Sequence, residues 1–380
     1  MTVAGIICEY NPFHSGHQYH IQKTLERADG CICVMSGNFV QRGEPACANK
    51  FVRAAAAVKG GADLVLELPA VFACRSAETF AQGAVELFAK TGIVSLLSFG
   101  SESGDLSNIQ SAAAFFAKES QSFKQQLAIE LEKGRSFPAA RAQAAANEPF
   151  ADLLQSPNDL LGIEYCKAIL RTGASITPLP VLRQGEGHNS QKANGAWCSA
   201  AYLRRHPQKL EQFSPAAKLL RSGGFPVSKR RADFILTAHL RRLPTETLAQ
   251  TADCSEGLEF RLKAAAMEGE TLEEIISLAK TKRYTRTRIC RVILNSYLGI
   301  TKELFHPEYF RVLAANRRGT ELLRMIKAKG QLPVITNLSK QKISSKALEI
   351  DIAAGNFYAL LQQKNRKGGM DYTISPRFFS

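Results

Sequence analysis

The chain has 380 residues, 45% of them hydrophobic and 22% charged, with a formal net charge of +15. That composition makes a globular protein long enough for two domains. No run of about eighteen apolar residues is present to span a bilayer, and no basic segment leads into an apolar core near Met1, so a cytoplasmic protein without a secretory signal is expected.

The first hundred residues alternate strand and helix. Val3–Cys8 is a short apolar run that reads as a buried strand, stopped by the turn-forming Asn11-Pro12 pair. A helical pattern follows over Gly16–Arg27. His14, Gly16 and His17 form an H-x-G-H arrangement where the strand gives way to the helix. A strand, a tight turn and a helix N-terminus make a seat for phosphate, because free backbone N–H groups and the helix dipole face an anion there. Two imidazoles at that seat are placed to donate to a phosphoryl group as its charge develops, and Gly16 lets the backbone come close.

Cys31–Met35 is the second strand, followed by the polar loop Ser36–Pro45. Asn49–Gly60 reads as an alanine-rich helix capped by Asn49. Leu64–Leu68 is the third strand, Ser76–Thr91 a helix and Ser95–Phe99 the fourth strand, leading into the loop Gly100–Asp105. Helical period persists from Leu106 to Arg171, broken near Gly134, Pro138 and Pro149. Ile176–Leu182 is another strand, with a polar loop over Arg183–Asn189 and a short helix over Ser199–His206. Strands joined by helices require a parallel sheet with right-handed crossovers. The loops after its strands then converge on one crevice, where Arg42, Lys50 and Arg53 are candidates to meet a triphosphate and Gly100 to admit a base or ribose.

Beyond Pro207 the pattern is helical, for example over Glu256–Glu268, Thr271–Lys280 and Arg286–Leu298. Val334–Thr336 is the only convincing strand there, and the tail from Gln362 reads as loosely ordered. The charge follows this division: residues 1–150 carry 13 Lys/Arg and 14 Asp/Glu, residues 151–380 carry 36 and 20. A near-neutral α/β part joined to a basic helical part suits catalysis joined to the holding of a polyanion. Lys229-Arg230-Arg231, Arg241-Arg242, the set Arg283, Arg286, Arg288 and Arg291, and Arg317-Arg318 with Arg324, Lys327 and Lys329 are the dense points. Tyr284, Phe305, Tyr309 and Phe310 offer aromatic surface nearby.

The chain lacks a P-loop, a G-x-G-x-x-G fingerprint and a serine nucleophile elbow. Nucleotide chemistry then rests on the H-x-G-H turn, which suits reaction at an α-phosphate with pyrophosphate leaving. Such chemistry needs positioning and charge neutralisation more than a protein nucleophile. The nine cysteines are scattered and form no zinc-type spacing, so no protein-held metal is expected. Mg²⁺ is expected to arrive with the triphosphate.

Five stretches resemble the tRNA(Met) cytidine acetate ligase family, within the H-x-G-H nucleotidyltransferase-like superfamily. They are Glu9-Tyr-Asn-Pro-Phe-His-Ser-Gly-His17, Ser36-Gly-Asn-Phe-Val-Gln-Arg-Gly-Glu-Pro45, Gly61-Ala-Asp-Leu-Val-Leu-Glu-Leu-Pro69, Phe99-Gly-Ser-Glu102 and Ser156-Pro-Asn-Asp-Leu-Leu-Gly-Ile-Glu-Tyr165. The basic stretch Tyr284-Thr-Arg-Thr-Arg-Ile-Cys-Arg291 looks similar as well.

The resemblance implies an α/β fold with a Rossmann-like parallel sheet of the nucleotidyltransferase type over residues 1–206, followed by a mostly α-helical basic tRNA-binding domain over residues 207–380. It implies a ligase that activates acetate with ATP as acetyl-adenylate and acetylates the wobble cytidine of elongator tRNA(Met) to N(4)-acetylcytidine. A small-molecule adenylyltransferase and a non-catalytic RNA-binding protein are the alternatives. No membrane and no protein partner are expected.

Carried over by motif, His14 and His17 are catalytic. ATP meets Ile7, Cys8, Glu9, Tyr10, Asn11, Pro12, Phe13, His14, Ser15, Gly16, His17, Gln18, Tyr19, His20, Gly100, Asn158 and Arg183. Arg230, Arg231, Arg283, Arg286, Arg288 and Arg291 are candidates for tRNA. One motif departs: relatives close the core with Ser-Ala-Thr-x-Ile-Arg, whereas this chain has Ser199-Ala-Ala-Tyr-Leu-Arg204, so Ala201 lacks a hydroxyl for phosphate.

Overall fold

A computed structural model of the chain describes residues 1–184, 197–340, 343–364 and 366–380. Its centre is a mostly parallel sheet. The strands in chain order are β1 (Val3–Cys8), β2 (Gly30–Ser36), β3 (Phe39–Val40), β4 (Glu44–Pro45), β5 (Leu64–Leu68), β6 (Leu96–Ser101), β7 (Thr177–Leu182), β8 (Phe310–Ala315), β9 (Val334–Ile335) and β10 (Arg377–Phe378). The spatial order is β10-β8-β5-β2-β1-β6-β7, with β9 beside β8, while β3 and β4 form a separate antiparallel hairpin.

The five strands expected before residue 207 are all present and parallel, and the sixth, expected at Val334–Thr336, is β9, parallel to β8. β1 pairs with β2 from Val3 opposite Gly30 to Cys8 opposite Met35, and on its other side with β6. β2 pairs with β5, and β6 with β7. The chain leaves β1 for β2 on one side and returns to β6 on the other. The C-terminal edge of β1 is therefore the point where strand order reverses, the usual ligand crevice of an open α/β sheet.

The helices that frame the crevice follow local sequence signals. α1 (Ser15–Leu25) starts at the H-x-G-H turn. α2 (Lys50–Lys59) has Asn49 as its N-cap, the Asn49 side chain accepting from Val52 N–H at 3.0 Å, and ends at Gly60. Ile21 of α1 and Phe51 of α2 pack on one face of the sheet with Ile6, Cys31 and Cys33. Phe80 and Phe88 of helix Ala77–Lys90 and Ile163 of helix Pro157–Thr172 pack on the other face with Ile32, Val34 and Leu97. A Cβ on Gly5 would meet the Phe88 ring at 2.7 Å, so β1 needs a glycine where that ring crosses it.

The chain beyond residue 206 is mainly helical, with Leu258–Glu268, Leu272–Ala279 and Arg286–Leu298 close to the predicted bounds. Two features differ from the sequence reading. β8 was not anticipated, yet it is fully buried and pairs antiparallel with β5, so the sheet draws strands from both sides of residue 206. The tail is also ordered into the fold. β10 pairs with β8, and the Asp371 carboxylate lies buried 2.6 Å from Lys50 Nζ and 3.3 Å from the Arg311 guanidinium.

Candidate active site

The turn after β1 is held from below by one side chain. Arg53 of α2 is completely buried and donates to backbone carbonyls only: Ala48 at 2.9 Å, Glu9 at 2.5 Å, Ser36 at 3.0 Å, and Gly37. It thereby fastens the C-terminal ends of β1 and β2 together. Tyr10 sits at φ 46°, a left-handed conformation that costs a bulky residue about 1–3 kcal/mol. Its ring is buried edge-on to Phe13 at 5.0 Å, and its hydroxyl lies 3.4 Å from Cys33 Sγ. From the far side Arg204 donates to the Asn11 carbonyl at 2.5 Å, while the Asn11 side chain accepts from Cys47 N–H at 2.7 Å.

His14 is the N-cap of α1, its Nδ1 accepting from Gly16 N–H at 3.0 Å. His17 Nδ1 accepts in turn from His14 N–H at 3.3 Å. Each ring spends its Nδ1 lone pair on backbone, which leaves the proton on Nε2 in both neutral rings. The two rings stack with centroids 3.8 Å apart and 28° between their planes. The turn thus sets two stacked imidazoles at the positive end of a helix.

The opposite wall is set by a reciprocal carboxylate clamp. Glu102 accepts from Asn158 N–H at 3.1 Å and Asp159 N–H at 3.0 Å, capping helix Pro157–Thr172. Asp159 accepts from Ser103 N–H at 3.0 Å, Glu102 N–H at 3.1 Å and the Ser101 hydroxyl, fixing the loop after β6. The Arg183 side chain lies over Gly100, and Arg183 N–H donates to the Ser101 carbonyl at 3.0 Å. His20 lies 2.9 Å through Nε2 from the Ser98 hydroxyl. Burial, reinforced by Arg183, pushes its pKa down to about 4, so this ring is neutral at physiological pH.

These groups surround a cavity of about 520 Å³ at the C-terminal edge of β1. Of the residues expected to meet nucleotide, Ile7, Cys8, Glu9, Tyr10, Asn11, His14, Gly16, His17, Tyr19, His20, Gly100, Asn158 and Arg183 line it. Four from the same run do not. Phe13 is buried in the core beneath Gly60, and Pro12 is buried beside it. The helical period turns Ser15 away, its hydroxyl donating to the Phe213 carbonyl at 2.9 Å, and Gln18 is also off the lining.

Arg42 lines the cavity, but the other two candidates for triphosphate do not. Lys50 is buried between Glu67, 2.8 Å away, and Asp371, and Arg53 serves the carbonyls described above. Gly185 to Asn189 of the predicted loop lie outside the described residues. Sequence reasoning gave no role to Trp197, which meets Tyr19 edge-on at 5.5 Å, or to Gln41 and Glu44. Ser199 and Arg204 also line the cavity, beside Ala201.

The basic residues are more engaged than the charge count suggested. Arg286 is paired with Glu273 at 2.5 Å, Arg288 with Glu256 at 2.7 Å and Arg291 with Asp253 at 2.6 Å. Arg283 donates to the Leu131 carbonyl at 3.5 Å and Arg231 to that of Gln362, while Arg230 is exposed. Tyr284, Tyr309 and Phe310 are buried and offer no stacking surface, because their rings complete the core. Phe234 and Phe260 are exposed aromatics on the helical part, 80% and 69% accessible.

A parallel sheet with a strand-order switch, and an H-x-G-H turn opening a helix beneath it, define a nucleotidyl transferase of the HIGH type. The family model described as HIGH Nucleotidyl Transferase matches residues 1–371. A tRNA(Met) cytidine acetate ligase of Thermoanaerobacter sp. (strain X514) is 40% identical over 98% of both chains, and one of Acetivibrio thermocellus is 36% identical over 98% of this chain and 99% of its own. The crystal structures of Thermotoga maritima TmcAL, one apo and one bound with alpha-thio ATP, superpose with TM-scores of 0.93 and 0.91. Each is 33% identical over all of both chains. The chain belongs to the tRNA(Met) cytidine acetate ligase family.

Proposed function

We propose that this protein is the ATP-dependent ligase that couples acetate to the wobble cytidine of elongator tRNA(Met), forming N(4)-acetylcytidine, AMP and pyrophosphate. The observation that carries the chemistry is the stacked His14–His17 pair at the start of α1, on the lining of the crevice at the reversal of strand order.

In the first half-reaction an acetate oxygen attacks the α-phosphorus of ATP and pyrophosphate leaves. The charge that grows on the non-bridging oxygens is met by the two imidazole N–H groups and the helix dipole, donors already oriented before reaction. Arg42, Arg183 and Arg204 around the cavity add positive charge along the phosphates, and Gly100 and Asn158 flank the nucleoside. Mg²⁺ fits as an ion carried on the triphosphate.

In the second half-reaction the cytidine amine attacks the acetyl carbon of the adenylate and AMP leaves. An anticodon-loop base is already unpaired, so its presentation does not require opening a duplex. Residues 207–380 would hold the tRNA, with Arg230, Arg231, Arg283, Arg286, Arg288 and Arg291 as candidates and the ion-paired three contributing only after exchanging carboxylate for phosphate. An activity that uses ATP and tRNA fits the cytoplasm. Among the described residues no helix is long and apolar enough to cross a membrane.

The test is purified protein with ATP, acetate and elongator tRNA(Met). Acetylcytidine, AMP and pyrophosphate form together in the expected outcome. Pyrophosphate release that ignores acetate, or that retains AMP on a small-molecule product, overturns the reading.

A further inference from the structure

The cavity has a second side that the phosphate chemistry does not use. Along β1 the even residues face α1 and α2, while Gly5 and Ile7 face the helices Ala77–Lys90 and Pro157–Thr172. Glu9 continues the second set. Glu9 and Tyr165 line the same cavity, and the Tyr165 hydroxyl is pushed up by burial and further by the Glu9 carboxylate. Ala77, Phe80, Leu161 and Tyr165 wall this side.

The Glu9 carboxylate is built into place. Oε1 accepts from Gln41 N–H at 2.8 Å, which pins it to the β3–β4 hairpin. Among the described residues Oε2 has no hydrogen-bond partner, and Glu9 lines the cavity. Burial raises the pKa of Glu9, opposed by Gln41 N–H and by Arg204, Arg42 and Arg53. Glu44 is the other carboxylate on the described lining.

We infer that Glu9 Oε2 takes the proton from the attacking cytidine amine, a role that rests on the ligase reading above. A substrate spanning the edge of β1 has its α-phosphate at α1 and its acyl group directed over β1 toward Glu9. In acetyl transfer the N4–C bond forms and the bond from acetyl carbon to phosphate oxygen breaks, its electron pair leaving with AMP. One N4 proton passes to Oε2. An exocyclic amine of cytosine is a weak nucleophile that must lose this proton, and a positioned base of raised pKa is matched to the task. The same oxygen accepts an N4–H hydrogen bond, as a carboxylate does from cytosine, whereas uracil would turn a carbonyl oxygen toward it.

The experiment compares full-length wild type, Glu9→Gln and Glu9→Asp in two assays. One is acetate-dependent ATP–pyrophosphate exchange without tRNA. The other is single-turnover acetyl transfer from enzyme-bound adenylate to tRNA across a pH series. Glu9→Gln keeps an oxygen for Gln41 N–H and so preserves the hairpin. Because Glu9 also lines the nucleotide cavity, transfer is read against the same variant's own exchange: transfer is expected to drop about 100-fold further than exchange and to lose the wild-type rise with pH. Glu9→Asp, which retains a carboxylate, recovers the pH dependence at reduced rate. Unchanged transfer in Glu9→Gln, equal losses in both assays, or a pH-flat Glu9→Asp overturns the assignment. Absence of exchange in the wild type instead overturns the ligase reading.

Discussion

Removing the Arg53 guanidinium tests whether the phosphate turn is held up by buried charge beneath it. Arg53 makes hydrogen bonds to four carbonyls from three separate segments: Glu9 after β1, Ser36 and Gly37 at the end of β2, and Ala48 before α2. In Arg53→Met the stem is replaced by similar apolar volume, so the cavity term is small. The four carbonyls lose their donors, at about 1 kcal/mol each net. Relief of the guanidinium's own desolvation offsets part of that total. The expected loss is about 3 kcal/mol of folding stability, a sizeable fraction of the roughly 5–15 kcal/mol of a typical domain.

Chemical denaturation followed by circular dichroism measures this loss, and pyrophosphate exchange should fall with it, because the Glu9 and Gly37 carbonyls set the path of the two loops at the cavity. Arg53→Lys, with one donor centre in place of a planar fork, should recover only part of both. A stability change under 1 kcal/mol together with normal exchange would refute the claim that this residue organises the site.

His14→Asn retains a side-chain oxygen to cap α1, so its stability should stay within about 1 kcal/mol of wild type. Its exchange rate should fall 10²- to 10³-fold, roughly the effect of one lost donor to developing charge; equal exchange would assign His14 to capping alone. Asp351 is buried, accepts from Ala70 N–H at 2.7 Å and Tyr309 O–H at 2.6 Å, and its pKa is pushed up to about 7 by burial and by Glu67. A raised carboxyl pKa stabilises the fold fully below the unfolded value and loses that contribution as pH climbs through 7. Asp351→Asn should therefore flatten the fall in stability between pH 5 and 8, measured by denaturation at each pH; an unchanged slope would rule out this group as its source.

The parallel strands were legible because each is a short apolar run closed by glycine, proline or a polar turn, a pattern that burial on both faces produces. β8 escaped the same reading because Arg311 interrupts its run. That residue is tolerated in a buried strand only through Asp371, sixty residues further on. The same Asp371 explains why the tail reads as loose: its anchoring depends on partners in β8 and α2, and nothing local reveals them. The burial of Tyr309 and Phe310 follows from β8, so reading the strand as helical surface also counted two core rings as aromatic surface.

The candidate site divides along the same line. The histidine turn is local chemistry, since a strand end, an N-cap and the i to i+3 spacing of His14 and His17 are all written in adjacent residues. Lys50 and Arg53 were assigned to phosphate for an equally local reason, as cations at a helix start after a glycine loop. A cation reaching an anionic ligand and one neutralising buried carboxylates or carbonyls look alike in sequence. What separates them is the partner: Glu67 and Asp371 surround Lys50, and three carbonyl-bearing segments surround Arg53. Both cations lie beneath the cavity rather than on it. The positive charge that meets ATP would then come from Arg42 in the β3–β4 turn, from Arg183 after β7, and from Arg204 in the short helix Ala200–Arg205, which also donates to the Asn11 carbonyl. Charge locked under the sheet keeps the turn in shape when the site is empty, whereas the cations on the lining are the ones a ligand reaches. The shape of the histidine turn and the charge around the ligand therefore have separate sources in the chain.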